Sequence, residues 1–161
     1  MKQPFSLFLL VLFSCNMNNT NTIDTVKQDA NEIDAIKKVL TTQQKCWNEG
    51  DIKGFMEGYW NSEKLIFTSA EHMPSYGWKN TFERYKSSYP TKESMGVLKF
   101  EILDLKLNSE KTAVLKGKWE LIRKKDHPRG IFWLNLQKFE DNWLIIKDST
   151  ITIINATISL D

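Results

Sequence analysis

After Gly96 the chain changes its period. Residues 97–107, VLKFEILDLKL, alternate apolar and polar side chains with a repeat of two, the signature of a half-buried strand. Leu98, Phe100 and Ile102 share one parity, whereas Leu103, Leu105 and Leu107 share the other. Such a slip turns the apolar set to the opposite face unless an extra residue is absorbed as a β-bulge, and bulges bend strands. The turn NSEK (108–111) leads to a second alternating run, Ala113, Leu115, Gly117, Trp119 and Leu121. DHPRG (126–130) then turns into IFWLNLQKF (131–139), and EDN (140–142) into WLIIKDST (143–150). The last two runs are apolar on both faces, as strands covered on two sides are. Four long strands joined by short hairpin loops predict an antiparallel sheet that is curved rather than flat.

Before Gly96 the period is mostly helical. Ala30, Ile33, Ile36, Val39, Leu40, Gln43 and Trp47 form one stripe with Lys37, Lys38 and Lys45 off it. The segment CWNEGDIKGFMEGYW (46–60) then spaces Gly50, Gly54 and Gly58 four residues apart. Gly50 suits the left-handed turn that closes a helix, and Asp51 suits the N-cap of a second one carrying Ile52, Phe55, Met56 and Tyr59. Gly54 and Gly58, one turn apart on it, allow a close neighbour. Glu49, Asp51, Lys53 and Glu57 rule out a membrane-helix seam. KLIFTSA (64–70) predicts a short strand, HMPSYGW (72–78) a turn, and WKNTFERYKSSYP (78–90) a helix with Trp78, Phe82, Tyr85 and Tyr89 on one side. The tail ITIINATISL is β-rich. The layout is α+β: a curved antiparallel sheet wrapped by N-terminal helices, enclosing a cone with an interior.

With 161 residues, 41% hydrophobic, the chain suffices for one domain with a real core. A formal charge of +2 gives no basic face for nucleic acid, and the one basic cluster, Arg123–Lys125, reads as a solvated strand end and loop. Lys2 precedes the apolar run PFSLFLLVLF, far shorter than the ~20 residues that span a bilayer. It reads as an export signal over 1–14. The run ends LFSC and resembles the lipobox of bacterial lipoproteins, with Leu12 three places before Cys15, although Phe13 departs from that pattern. The resemblance implies cleavage before Cys15, lipid on its thiol, and a membrane lipoprotein facing the periplasm or cell surface. A plain secretory signal with an incidental Cys15 is the alternative. Residues 15–29 are read as a lipidated cysteine and flexible tether, and residues 30–161 as the domain. Cys46 is then left alone, a small buried hydrophobe rather than a nucleophile.

Several pieces in order resemble the nuclear transport factor 2-like (NTF2-like) superfamily, the cone-shaped fold of ketosteroid isomerases and polyketide cyclase-like proteins. They are WNEGD (47–51) with FMEGYW (55–60), YGW (76–78) ahead of ERY (83–85), MGVLKFEI (95–102), TAVLKGKWEL (112–121), RGIFWL (129–134) and NWLIIKDST (142–150). They cover residues 30–150 and are most similar to a bacterial branch of unassigned function. Relatives there often carry His directly after the aspartate of the last strand; here Ser149 stands in that place, which removes any proton shuttle through such a histidine.

The chemistry is sparse. There is no nucleophile elbow, glycine-rich phosphate loop or dinucleotide fingerprint, and the two His and two Cys fall at no metal-ligand spacing, so neither a cofactor nor a metal is expected. What stands out is the aromatic content. Trp47, Phe55, Tyr59, Tyr85, Tyr89, Trp119, Phe132 and Trp143 are candidate linings of an apolar pocket for a small apolar or aromatic molecule. Asp148 shares parity with Leu144 and Ile146, so its carboxylate is expected in apolar surroundings that raise its pKa. It then serves either as a general acid/base or as a hydrogen-bond acceptor for a Trp or Tyr. Three functions stay open: an exported, membrane-anchored binding domain; an isomerase, cyclase or hydrolase using Asp148 with Tyr59 or Tyr85; and a homodimeric scaffold with a filled cone.

Overall fold

The computed structural model describes residues 20–70 and 72–153. Its elements run α1 (Thr20–Glu49), α2 (Ile52–Met56), β1 (Ile66–Ser69), β2 (His72–Tyr76), α3 (Trp78–Ser88), α4 (Lys92–Met95), β3 (Val97–Ser109), β4 (Thr112–Ile122), β5 (Arg129–Phe139) and β6 (Asn142–Thr152). The six strands form one curved, unclosed sheet in the order β2-β1-β6-β5-β4-β3. β1 lies parallel to β6; every other neighbouring pair is antiparallel.

The parity slip in β3 is a bulge. Pairing passes from Ile102 opposite Gly117 to Asp104 opposite Lys116, which leaves Leu103 over and turned outward. A second bulge lies in β6, where Leu136 pairs with Ile145 and Asn135 with Lys147, leaving Ile146 over. Bulges add local bend and twist. They give the sheet a concave face carrying Leu98, Ala113, Leu115, Leu121, Phe132, Leu134, Leu136 and Ile145, all buried.

The helix α1 lays Ile36, Leu40, Gln43 and Trp47 onto that face. Its last turns also close the β3 edge. Gln44 Oε1 accepts from Phe100 N at 2.7 Å, and Asn48 Oδ1 accepts from Leu98 N at 2.7 Å while its Nδ2 donates to Leu98 O at 3.0 Å. Four helical residues advance about 6 Å and two strand residues nearly 7 Å, so side chains at i and i+4 reach alternate backbone groups of an edge strand. An open row of donors is thereby satisfied. Gly50, at φ +86°, ends α1, and Asp51 Oδ1 caps α2 by accepting from Gly54 N at 2.8 Å. Lys92 sets its ammonium on the Trp47 and Asn48 carbonyls, where the helix terminus is negative.

Four expectations are corrected. The helix starts at Thr20, so residues 20–29 of the segment read as a tether are helical; no Gly or Pro interrupts them. Residues 72–76 form strand β2 rather than a turn; Pro74 is tolerated because β2 is an edge strand. Gly58 lies past the end of α2, though its role holds: a Cβ there would meet Gln43 at 2.7 Å. Finally, Trp143 is buried, yet away from the cone's interior. Its Nε1 donates to Glu32 Oε2 at 2.7 Å, and Lys138 Nζ meets Glu32 Oε1 at 2.6 Å, pinning α1 to the β5–β6 hairpin. The proposed signal, Cys15 and the end of the tail fall outside the described residues.

Candidate functional site

The helices and the concave sheet enclose a cavity of about 270 Å³. One wall is aromatic. Trp47 meets Phe55, Tyr85 and Tyr89 edge-on with ring centroids 5.1, 6.0 and 4.8 Å apart, and Tyr85 meets Phe55 and Phe67 at 5.2 and 5.7 Å. These rings come from α1, α2, α3 and β1. The opposite wall is the sheet, with Leu98, Phe100, Trp119, Leu121, Phe132 and Leu134. Trp119 is held by its Nε1, which donates to Thr150 Oγ1 at 2.9 Å. Edge-on packing satisfies the ring quadrupoles and fixes the rings in place, so the cavity is bounded by stiff walls.

Asp148 supplies the polar end. It is 6% exposed, and Tyr59 OH donates to its Oδ2 at 2.8 Å. The Oδ1 atom is buried with no partner among the described residues. Burial raises the Asp148 pKa to about 7 against the smaller opposing effect of the Tyr59 hydrogen bond. The Tyr85 hydroxyl neighbours that of Tyr59, and burial drives both phenols above their ordinary range. Tyr59 has a single proton and spends it on Asp148. The group is two neutral phenols beside a carboxyl that takes or gives up a proton near neutrality.

The structure brings Trp47, Phe55, Tyr59, Tyr85, Tyr89, Trp119, Phe132 and Asp148 around this one cavity. Asp148 points inward for a reason other than the one read from parity. Trp143 and Ile145 are buried on the same side of β6, Ile145 at the cavity, the bulge at Ile146 resets the phase, and Asp148 follows. The run WLII is apolar at every position, so the sequence carries no sign of the reset. Sequence reasoning missed Phe67, Ser69, Arg84 and Thr150, which also line the cavity. Arg84 sits beside Tyr85 without any pattern of its own. Cys46 is half-buried, and desolvation pushes its thiol up, away from the reactive thiolate.

Among solved structures, an NTF-2 like protein of unknown function from Shewanella oneidensis MR-1 shares 40% sequence identity with this chain. The match covers 74% of this chain and 98% of that one, with a TM-score of 0.72. The chain belongs to the NTF2-like family. A ketosteroid isomerase-like protein from Erwinia carotovora atroseptica is similar in fold at 17% identity, covering 76% of this chain and 97% of the other with a TM-score of 0.65. An NTF2-like protein with a cystatin-like fold from Novosphingobium aromaticivorans matches at 7% identity over 88% and 94%, with a TM-score of 0.69. No family model and no curated protein matches. In this NTF2-like domain the residue after Asp148 is Ser149, whose hydroxyl accepts from Thr68 Oγ1 at 3.0 Å.

The outer sheet face of this NTF2-like domain is mixed. Val114, Trp133 and Ile151 are exposed there, with Lys116 lying over the Trp133 ring at 5.6 Å.

Proposed function

We propose that the cone binds a small apolar or aromatic molecule carrying one oxygen that meets Asp148. The single observation behind this reading is that Asp148, part of the lining of a ring-walled cavity, has a buried Oδ1 with no partner among the described residues. Buried polar atoms are almost always paired, and an unpaired one is costly unless a ligand or water completes it. A cavity of about 270 Å³ lies just under the ~300–1,000 Å³ typical of ligand sites, so the occupant is small. Native mass spectrometry of the purified protein is expected to reveal a retained molecule that Asp148→Asn reduces. A cavity empty in every preparation, together with no thermal shift from any small aromatic alcohol or ketone, would sink the reading.

A second reading is proton transfer. A carboxyl titrating near 7 beside two phenols is suited to take a proton from a carbon acid onto Oδ1, with Tyr85 polarising the carbonyl. The check is deuterium incorporation from D2O into small cyclic ketones. Catalysis predicts incorporation lost in Asp148→Asn; incorporation equal to the buffer blank rejects it.

The reading includes export and lipid attachment at Cys15, supported by the sequence of residues 2–15 alone. A mature protein beginning at lipidated Cys15, with Cys15→Ser leaving the membrane fraction, is the expected result. Pairing of two copies through Val114, Trp133 and Ile151 is the further element; Trp133→Lys is expected to lower the mass measured by light scattering. A filled cone is no part of it, because the cavity is open.

A further inference from the structure

The cavity has a second polar end. Ser69 pairs with Thr150 in the parallel β1–β6 register, two residues along from Phe67 and Asp148. Arg84 reaches this level from α3: its guanidinium lies 4.9 Å above the Phe67 ring, and Nη2 donates to Ser69 Oγ at 3.1 Å. Nη1 donates to the Met73 carbonyl at 3.1 Å. Both acceptors are neutral. Among the described residues no carboxylate pairs with Arg84, whereas Arg123 holds Asp126 in a bidentate pair at 2.6 and 2.8 Å. A half-buried guanidinium that lines a cavity without a counter-anion is an anion site by its chemistry, since its planar fork matches a carboxylate.

Two strand residues, about 7 Å along β6, separate Asp148 from Thr150, which pairs with the Ser69 that accepts from Arg84. Phe67, which pairs with Asp148 and carries Arg84 over its ring, belongs to the same lining. A six-membered ring with substituents at opposite positions spans a comparable length and fits the volume. Resting on the binding reading above, we infer that the occupant is a monocyclic organic acid whose carboxylate meets Arg84 and whose opposite hydroxyl or carbonyl oxygen meets Asp148 Oδ1. The polarity is set by the site. A buried carboxyl repels an anion at its own end, while the phenols of Tyr59 and Tyr85 lie beside it as neutral partners. Thr150 and Ser69 flank the cationic end with hydroxyls.

The test uses 4-hydroxybenzoate, its neutral isostere 4-hydroxybenzamide and p-cresol, measured by calorimetry on the purified protein. The acid is expected to bind roughly ten- to a hundred-fold more tightly than the amide, the range of a hydrogen bond to a charged group. Arg84→Met is expected to bring acid and amide within about threefold by weakening the acid alone, and Arg84→Lys to keep part of the preference. Equal binding of acid and amide by the wild type overturns the acid assignment and leaves the cavity as a binding site; so does a preference that survives in Arg84→Met. Failure of all three compounds to bind overturns the assignment and the binding reading together. Equal binding in the wild type overturns the assignment whether or not either variant folds.

Discussion

Tyr59 and Asp148, 89 residues apart in sequence, meet through a 2.8 Å hydrogen bond inside the cone. One comes from the turn after α2 and the other from the last strand, so the bond joins the helical layer to the sheet. It leaves Asp148 with one oxygen bound and the other buried without a partner among the described residues.

Stability is expected to fall as pH rises through this group. The folded pKa of about 7 lies above the ordinary 3.8, so the folded state holds the proton more tightly than the unfolded state between those values. Raising pH across that window therefore favours unfolding, by on the order of a few kcal/mol at most. Asp148→Asn removes the titration and is expected to melt higher than wild type at pH 8, with the difference vanishing near pH 4. A variant less stable than wild type at pH 8 contradicts the assignment.

Tyr59→Phe deletes the donor that lowers the Asp148 pKa. The carboxyl is then expected to titrate above its wild-type value, followed by carboxyl chemical shifts in a pH series. An unchanged or lower midpoint would show that the phenol does not set it.

Glu32 works in the opposite sense. The Lys138 hydrogen bond, then that of Trp143, holds its carboxyl below the ordinary 4.5. Stability from this contact is present above the unfolded pKa and lost as pH falls through the folded one. Glu32→Gln is expected to cost about 1–3 kcal/mol at pH 7, by the lost charge-assisted bond. Melts repeated in acid, where wild type loses the same contribution, should converge.

Gly117→Ala tests the packing of the cavity wall. A Cβ there would come within 2.3 Å of the Phe132 ring and 2.9 Å of the Glu101 carbonyl, so the ring is forced inward. A cost of about 1–3 kcal/mol is expected from overpacking. Binding of p-cresol should weaken in parallel; a variant as stable as wild type would mean the sheet yields freely.

The curved sheet was legible because β3 changes parity at Leu103 among polar residues, where a bulge leaves a mark. The β6 bulge was not, since Trp143 through Ile146 are all apolar and any phase reads alike. That is why the parity argument for Asp148 does not match the register, in which the bulge at Ile146 turns it inward. β2 was hidden by Pro74, which signals a turn in a central strand but not at an edge. The aromatic wall followed from helical spacing, whereas Arg84 owes its place to the parallel β1–β6 pairing, a contact between distant segments that local pattern does not encode.

That parallel pairing also sets when the pocket can exist. β6 is the last of the described strands in chain order, yet it sits between β1 and β5. On the ribosome, the hairpin of residues 66–76 is therefore complete long before it has a neighbour in the sheet. A nascent chain halted ahead of Asn142 has a three-stranded wall and an orphan hairpin, with its aromatic side chains open to water and to chaperones. The hollow arises in one late closing step, so premature termination or proteolytic loss of the final strand abolishes it rather than trimming it.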